Sequence, residues 1–465
     1  MIRLFRHYIS GAYLILFLLE FAVFAAAFFV GSALRVHIQG IPWDSMESLY
    51  GPAAIYTLAM WTSATGIGLY RRTQDVGSVV LLLRIVATFL VGTALMIPVF
   101  YMFPAFLRER DILSYALLSG FAGVLVCRFL FLRLVDRQAI KRRVLVLGAG
   151  YRGNMIQEFE SRTPDASFRV IGFLPMGDEP VRVSRARLID TRLLLNEYAI
   201  GHDIDEIVVA PDDRRGGKMA VDEMLDCKMA GVHVIDLLAF FEREAGAIRV
   251  DCLHPSWLIF SDGFRISGGR SVIKRWIDVV VSLLLFGLVW PLMLLAVIAI
   301  KLEDGWHAPV LYRQLRVGLN WKVFVLIKFR SMQPDAERDG KALWTAANDE
   351  RITLVGRILR KFRIDELPQL FNVLRGDMSF VGPRPERPEF VEKFSESIPY
   401  YSERHRVKPG ITGWAQLSYP YGANYMDTVE KLQYDLYYVK NYSLFLDLLI
   451  ILQTLEVVLW GRGAR

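Results

Sequence analysis

Residues 277–300 read IDVVVSLLLFGLVWPLMLLAVIAI, an apolar run with one proline, Pro291, a little beyond its middle. As a helix it would extend ~36 Å at ~1.5 Å per residue, enough to cross ~30 Å of hydrocarbon. Proline removes a backbone donor and crowds the carbonyl four residues earlier, so a kink or break is expected at Pro291. Lys274 and Arg275 precede the run and Lys301 follows it. Basic residues favour the cytoplasmic side, which places both flanks there. The run is therefore expected to enter one leaflet, turn at Pro291 and return. Carbonyls freed by such a turn need donors from neighbouring protein, and Trp290 offers only its indole N–H.

Upstream, four more apolar runs, Ala12 to Leu34, Ala53 to Tyr70, Val79 to Tyr101 and Ile112 to Leu132, predict a four-helix membrane bundle. The first is too long for a signal-peptide core and is followed by three others, so it is expected to stay as a permanent span. Arg3, Arg6, Arg71, Arg72, Arg133, Arg137, Lys141, Arg142 and Arg143 fall on one side, against Arg35, Arg108 and Arg110 on the other. That imbalance puts both ends of the bundle in the cytoplasm. Glu20, Arg84 and Arg128 lie within or near the runs and read as interhelical pairs or snorkelling side chains before they read as a transport path.

Composition agrees with a mixed membrane and soluble chain. Of 465 residues, 53% are hydrophobic and 22% charged, and the mean hydropathy is +0.31. Disorder and a small disulfide scaffold are excluded. Cys127, Cys227 and Cys252 form no C-x-x-C pair and the seven histidines show no zinc spacing, so reduced thiols and no zinc are expected. The net charge of +7 suits an anionic lipid surface or a phosphate-bearing substrate.

After the basic linker, Val144 to Gly150 reads as a buried strand opening into Gly148-x-Gly150-x-x-Gly153. Strand candidates at Phe168 to Leu174, Glu206 to Ala210 and Val232 to Ile235 alternate with helical stretches and predict a Rossmann-like parallel α/β sheet. Redox chemistry does not follow. Phe173 stands where a dinucleotide site needs an acid for the ribose hydroxyls, and Asp178 comes late, after Pro175. No tyrosine has a lysine four residues later, the pair that a short-chain dehydrogenase or dehydratase would need. Asp203-x-Asp205 precedes its strand and reads as a solvated turn.

From Lys301 onward cations and carboxylates interleave. Arg313, Arg316, Lys328, Arg330, Arg357, Arg360, Lys361 and Arg363 stand against Asp335, Asp349, Asp365, Glu366 and Asp377. This suits a phosphorylated substrate held with Mg²⁺, whereas the aromatic interleaving of a nucleic-acid surface is missing. Arg363 to Gly376, RIDELPQLFNVLRG, admits two readings. In one, Asp365 is a plain helix N-cap, with Pro368 in the first turn and Gly376 ending the helix. In the other, free N–H groups and the helix dipole lower the carboxyl pKa of Asp365 and leave it a poised nucleophile toward phosphorus.

These residues resemble the monotopic phosphoglycosyl transferases, or bacterial sugar transferases. Six motifs carry the resemblance in order, from Lys274 to about Asn441: Lys274-Arg275-x-x-Asp278, YRQLRVG from Tyr312, KFRSM from Lys328, DELPQL from Asp365, VGPRP from Val381 and KPGITG from Lys408. The upstream bundle and sheet resemble the long-form members, which start exopolysaccharide or O-antigen repeat units. One departure is Trp290, where small members have serine. The resemblance implies transfer of a sugar 1-phosphate from a UDP-sugar to polyprenyl (undecaprenyl) phosphate, with release of UMP. It implies Asp365 as nucleophile, Glu366 as Mg²⁺ ligand and Arg384 as phosphate clamp. Lys328, Arg330, Arg313, Arg316 and Arg363 are further substrate candidates, each equally open to a role pairing nearby carboxylates.

The expected fold is a membrane α-helical bundle (1–141), an α/β Rossmann-like domain (142–268), and a monotopic α/β catalytic domain (269–465) with the re-entrant helix 277–300. The expected location is the bacterial inner membrane with soluble domains facing the cytoplasm. Expected partners are the UDP-sugar, polyprenyl phosphate and the bilayer, with no nucleic acid and, as an option, a second copy of the chain. The competing readings are a nucleotide-sugar dehydratase or oxidoreductase, and a membrane scaffold for polysaccharide assembly.

Overall fold

In the computed structural model two short paired strands, β1 (Ile2–Leu4) and β2 (His7–Ile9), precede four helices. These are α1 (Gly11–Gln39), α2 (Met46–Gly66), α3 (Ser78–Met102) and α4 (Arg110–Leu134). The structure describes residues 2–4, 7–9, 11–40, 46–70, 78–102, 110–134, 141–164, 166–177, 179–190, 193–213, 221–264, 268–333, 349, 351–419 and 424–460. Arg6, Arg71, Arg72, Arg108, Arg137, Asp178 and Asp335 lie outside the described residues. The chain divides into two compact units, 1–4 with 8–246, and 5–7 with 247–465. The division after Gly246 lies upstream of the boundary expected at 268.

Each expected N-terminal run falls on one of the four helices. Among the described residues, the segments long and apolar enough to cross a membrane are Leu14–Gln39, Val80–Val99, Ile112–Phe131 and Gly268–Asp304. The run expected at Ala53 to Tyr70 is not one of them: α2 ends at Gly66, and Thr57, Ser63 and Thr65 dilute it while bonding carbonyls. Its Leu49, Ala53, Tyr56, Met60 and Ala64 are buried in the bundle. Small residues bring α1 and α4 together, so that a Cβ on Gly31 would lie 2.5 Å from the Ala116 nitrogen. The charges are paired between helices, Glu20 with Arg128 at 2.6 Å, while Arg84 donates to Gly68 O. Interhelical pairing is the reading the geometry supports for these residues.

The rest of this unit is a parallel sheet. Its elements are β3 (Arg142–Leu147), α5 (Tyr151–Arg162), β4 (Phe168–Leu174), α6 (Leu195–Gly201), β5 (Glu206–Val209), α7 (Val221–Met229), β6 (His233–Asp236) and α8 (Leu237–Ala245). The strand order is β4-β3-β5-β6, all parallel. Near-continuous apolar strands such as β5 are what a sheet covered on both faces requires.

The second unit opens with α9 (Pro255–Phe260) and α10 (Gly268–Asp304). α10 stays helical through Pro291, where the sequence predicts a kink or break; the lost donor does not interrupt the helix. One stripe of α10 is buried toward each end, at Lys274, Asp278 and Ser282 and again at Met293, Ala296 and Ile300, while Leu284 and Leu288 opposite are exposed. Both ends are tied to the same unit. Arg275 donates to Leu374 O, Asp278 accepts from Phe380 N, and Asp304 pairs with Arg330 at 2.6 Å.

A hairpin follows, β7 (Leu311–Val317) antiparallel to β8 (Val323–Phe329), with Tyr312 opposite Lys328. Then come α11 (Leu354–Lys361), α12 (Gln369–Arg375), β9 (Ser379–Val381), α13 (Pro388–Ser397), β10 (Gly410–Thr412), α14 (Trp414–Ser418), α15 (Tyr425–Lys440) and α16 (Leu444–Trp460). β9 and β10 pair in parallel. α16 packs on this unit through buried Leu446, Asp447 and Ile450, and Asp447 meets Lys274 at 2.7 Å.

Candidate active site

Asn372 locks α12 to β8: its side chain accepts from Ile327 N at 3.1 Å and donates to Val325 O at 2.7 Å. That clamp sets the turn before α12 beside Lys328. Arg363 enters the turn in the left-handed region at φ 56°, residues 364–366 form one turn of 3-10 helix, and Gly376 ends α12 at φ 97°. The chain thus presents Asp365 and Glu366 together, each buried to about 9% exposure.

The two carboxylates differ in their company. Glu366 Oε1 accepts from Lys328 Nζ at 3.1 Å and from Arg384 Nη2 at 3.0 Å, and Arg363 lies 3.6 Å from Oε2. Burial opposes its charge, yet Lys328, Arg384 and Arg363 hold its carboxyl well below the usual carboxylate range. Among the described residues, nothing donates a hydrogen bond to Asp365. Burial raises its pKa, Glu366 adds to the rise, and Lys328, Arg360 and Arg384 act against it.

Two expectations are thereby corrected. Asp365 does not cap α12, whose N-cap position is Pro368 with no side-chain cap. Nor is its pKa lowered by a helix start, because desolvation outweighs whatever the short turn supplies.

The remaining candidates separate cleanly. Lys328, Arg363 and Arg384 converge on Glu366. Arg316 turns to the backbone of the Arg384 segment, donating to Pro385 O at 2.9 Å. Arg330 is buried against Asp304, and Arg313 is exposed, on the face of the hairpin opposite Tyr312 and Lys328. Pro291 lies on α10 and is exposed. Sequence reasoning missed Asn372 as the clamp, and it missed Arg404 and Asp435, a buried pair at 2.8 Å whose arginine also donates to Arg384 O. No local pattern marks them, since their partners lie elsewhere in the chain.

The glycine turn after β3 is a second candidate, and it is occupied by the protein itself. Asp212 accepts from Tyr151 N and Arg152 N, both at 2.8 Å, and Glu179 accepts from Ala149 N at 2.6 Å. A Cβ on Gly150 would meet the Asp212 carboxylate at 2.2 Å. The donors that a nucleotide pyrophosphate would use are taken by carboxylates.

Residues 269–461 match the family model described as bacterial sugar transferase. A UDP-glucose:undecaprenyl-phosphate glucose-1-phosphate transferase of Klebsiella pneumoniae is 35% identical over 68% of this chain and 67% of its own length. The chain belongs to the bacterial sugar transferase family. Another relative, a UDP-N-acetylgalactosamine-undecaprenyl-phosphate N-acetylgalactosaminephosphotransferase of Aeromonas hydrophila, is 43% identical over 51% of this chain and 55% of its own. A UDP-glucose:undecaprenyl-phosphate glucose-1-phosphate transferase of Caulobacter vibrioides is 45% identical over 41% and 71%. The chain thus spans about half to two thirds of the first relatives it matches. The Asp365 turn and the Arg384 segment both fall inside the stretch that carries the sugar transferase match.

Proposed function

We propose that the protein transfers a sugar 1-phosphate from a UDP-sugar to polyprenyl phosphate. The observation that carries this is a buried Asp365 carboxylate with no hydrogen-bond donor among the described residues, beside a Glu366 on which three cations converge. Ionised Asp365 attacks the sugar-bearing phosphorus; the bond to the bridging oxygen breaks and UMP departs with that electron pair. A phosphate oxygen of the polyprenyl phosphate then attacks the same phosphorus and displaces Asp365, leaving a lipid diphosphate sugar. Lys328 and Arg384 stand where the diphosphate would bring its charge. The step suits the start of exopolysaccharide or O-antigen assembly.

A hard divalent cation fits this site only in part through protein. No group of three metal-ligating side chains exists among the described residues, but Mg²⁺ commonly takes one or two carboxylates and completes its shell with phosphate and water. Glu366, held ionised, would supply the protein ligand. The metal when bound would neutralise the diphosphate toward an anionic nucleophile. Reversible silencing by chelator is the expected result.

Placement at the inner membrane is supported by the apolar length of α10. α10 runs unbroken through Pro291, and what supports a segment that enters and leaves by the same leaflet is that both of its ends are tied to the second unit. A crossing of the bilayer would put the Arg275 and Asp304 anchors, which belong to one unit, on opposite sides. Cytoplasmic UDP-sugar then meets Asp365 at the head-group layer. Cysteines placed at Gly269 and Trp306 should both label from the cytoplasmic face in inverted vesicles; labelling of the Trp306 variant only from outside would overturn this topology.

The enzymatic reading is tested by mixing the protein with UDP-sugars and polyprenyl phosphate and measuring UMP. Repeated turnover that needs both Asp365 and acceptor lipid, with no more than one UMP per protein when the lipid is left out, supports it. A scaffold would release none. The relatives name both glucose and N-acetylgalactosamine donors, so the screen spans both.

A further inference from the structure

Residues 381–386 carry Arg384 to Glu366, and their carbonyls are fixed almost one by one. Val381 O accepts from Lys274 and Tyr438, Pro383 O from Gly410 N, Pro385 O from Arg316 and Glu386 O from Val317 N. Pro383 and Pro385 have no N–H to hold the turn, so beyond Gly382 N, which donates to Thr412 O, its fixing falls on these acceptors. Arg384, preceding a proline, is confined to extended backbone. Its own carbonyl accepts from Arg404 Nη2 at 2.9 Å.

Arg404 sits in the turn 401–406 and its side chain is 7% exposed. Both of its terminal nitrogens are directed, while Nε has no partner among the described residues: Nη2 also meets Asp435 of α15 at 2.8 Å, and Nη1 donates to the Tyr401 hydroxyl at 2.7 Å. A buried ion pair of this kind is a weak source of stability, because desolvating both charges offsets their attraction. It does supply a rigid donor aimed at one carbonyl. We propose that Arg404, with Asp435 as its counter-charge, is a positioning residue for the reaction, holding the backbone of Arg384 so that its guanidinium stays aimed at Glu366 and the diphosphate. This rests on the reading of Arg384 as the phosphate clamp.

A pair that merely glues α15 to the 401–406 turn would make the opposite prediction for an apolar replacement. Arg404→Met with Asp435→Leu removes both charges together, which commonly leaves stability equal or higher. In nanodiscs the double variant should melt no lower than the wild type, yet kcat/KM for the UDP-sugar should fall about 10- to 100-fold, as small misplacements of a clamp do. KM for polyprenyl phosphate should not move. Arg384→Ala should also cost less in that background than in the wild type, since its positioning is already lost. If the double variant misfolds, Arg404→Lys takes its place in the same cycle; it keeps a charge for Asp435 but cannot serve all three partners. A folded variant with near wild-type kcat/KM, or an Arg384→Ala cost that is the same in both backgrounds, overturns the proposal. If the wild type itself transfers no sugar phosphate, the proposed function has failed instead, and that is seen before any variant is made.

Discussion

The turn after β3 and the turn before α12 both look like anion sites in sequence, one through glycines and the other through an acidic pair before a proline. In three dimensions they are opposites. At Gly148–Gly153 the free N–H groups receive Asp212 and Glu179, and the cradle closes on its own chain. At Asp365 the imported side chains are cations, they settle on Glu366, and the neighbouring carboxylate is left without a donor among the described residues. A local motif sets the backbone; residues from distant elements decide whether a ligand has anything left to bind.

The largest effect should come from Asp365→Asn. It removes the nucleophile and nothing structural, because among the described residues Asp365 caps no helix and accepts no hydrogen bond. UMP release should drop by about a thousandfold or more at an unchanged melting temperature. Appreciable release from a well-folded Asn variant would leave the two turns equally inert. Next in size is Lys328→Met, which strips Glu366 of the cation that most lowers its pKa and should cost transfer about 10- to 100-fold. Arg313→Ala, on the opposite face of the hairpin, should change the rate little, and a matching loss there would contradict the geometry of the site.

Much of this was legible in sequence because it is periodic or local. Helix length, the alternating strands and the Gly376 stop follow from hydropathy and backbone preference, and three of the proposed substrate cations do gather on Glu366. What the sequence hid is long-range. Arg316 and Arg330 look alike as strand cations, yet one holds Pro385 O and the other is buried on Asp304. The pKa of Asp365 was misread in direction because burial, which no single stretch encodes, outweighs the effect of a turn too short to supply much dipole. Asp212 lies so far along the chain from Gly150 that no spacing rule joins them.

A smaller effect tests the closed turn. Asp212→Ala with Glu179→Ala frees five N–H groups, three of them in the glycine turn, costing about 1–3 kcal/mol for each left buried and unpaired. Added inorganic phosphate should raise the melting temperature of this variant and leave the wild type unmoved. A wild type that binds NAD, or is stabilised by phosphate through this turn, would show that the carboxylates are displaceable.

The smallest expected effect concerns acidity at the open site. Asp365 must be ionised to attack, and its carboxyl is raised by burial, so the acid limb of kcat/KM should begin at a higher pH than an ordinary aspartate would give. Activity is present above that limb and lost as pH falls through it. Lys328 and Arg384 also oppose the rise but touch the reaction itself, whereas Arg360 acts on Asp365 through charge, from α11. Arg360→Met takes away a positive neighbour, which destabilises the carboxylate and moves the limb further up, by a fraction of a pH unit at the distances and screening of a half-exposed charge. Rates well above the limb should hardly change. A limb that stays where it was, or moves down, would mean that the charge of Arg360 is not felt at Asp365; high salt, which screens Arg360 more than the buried cations, should erase the shift in the same direction.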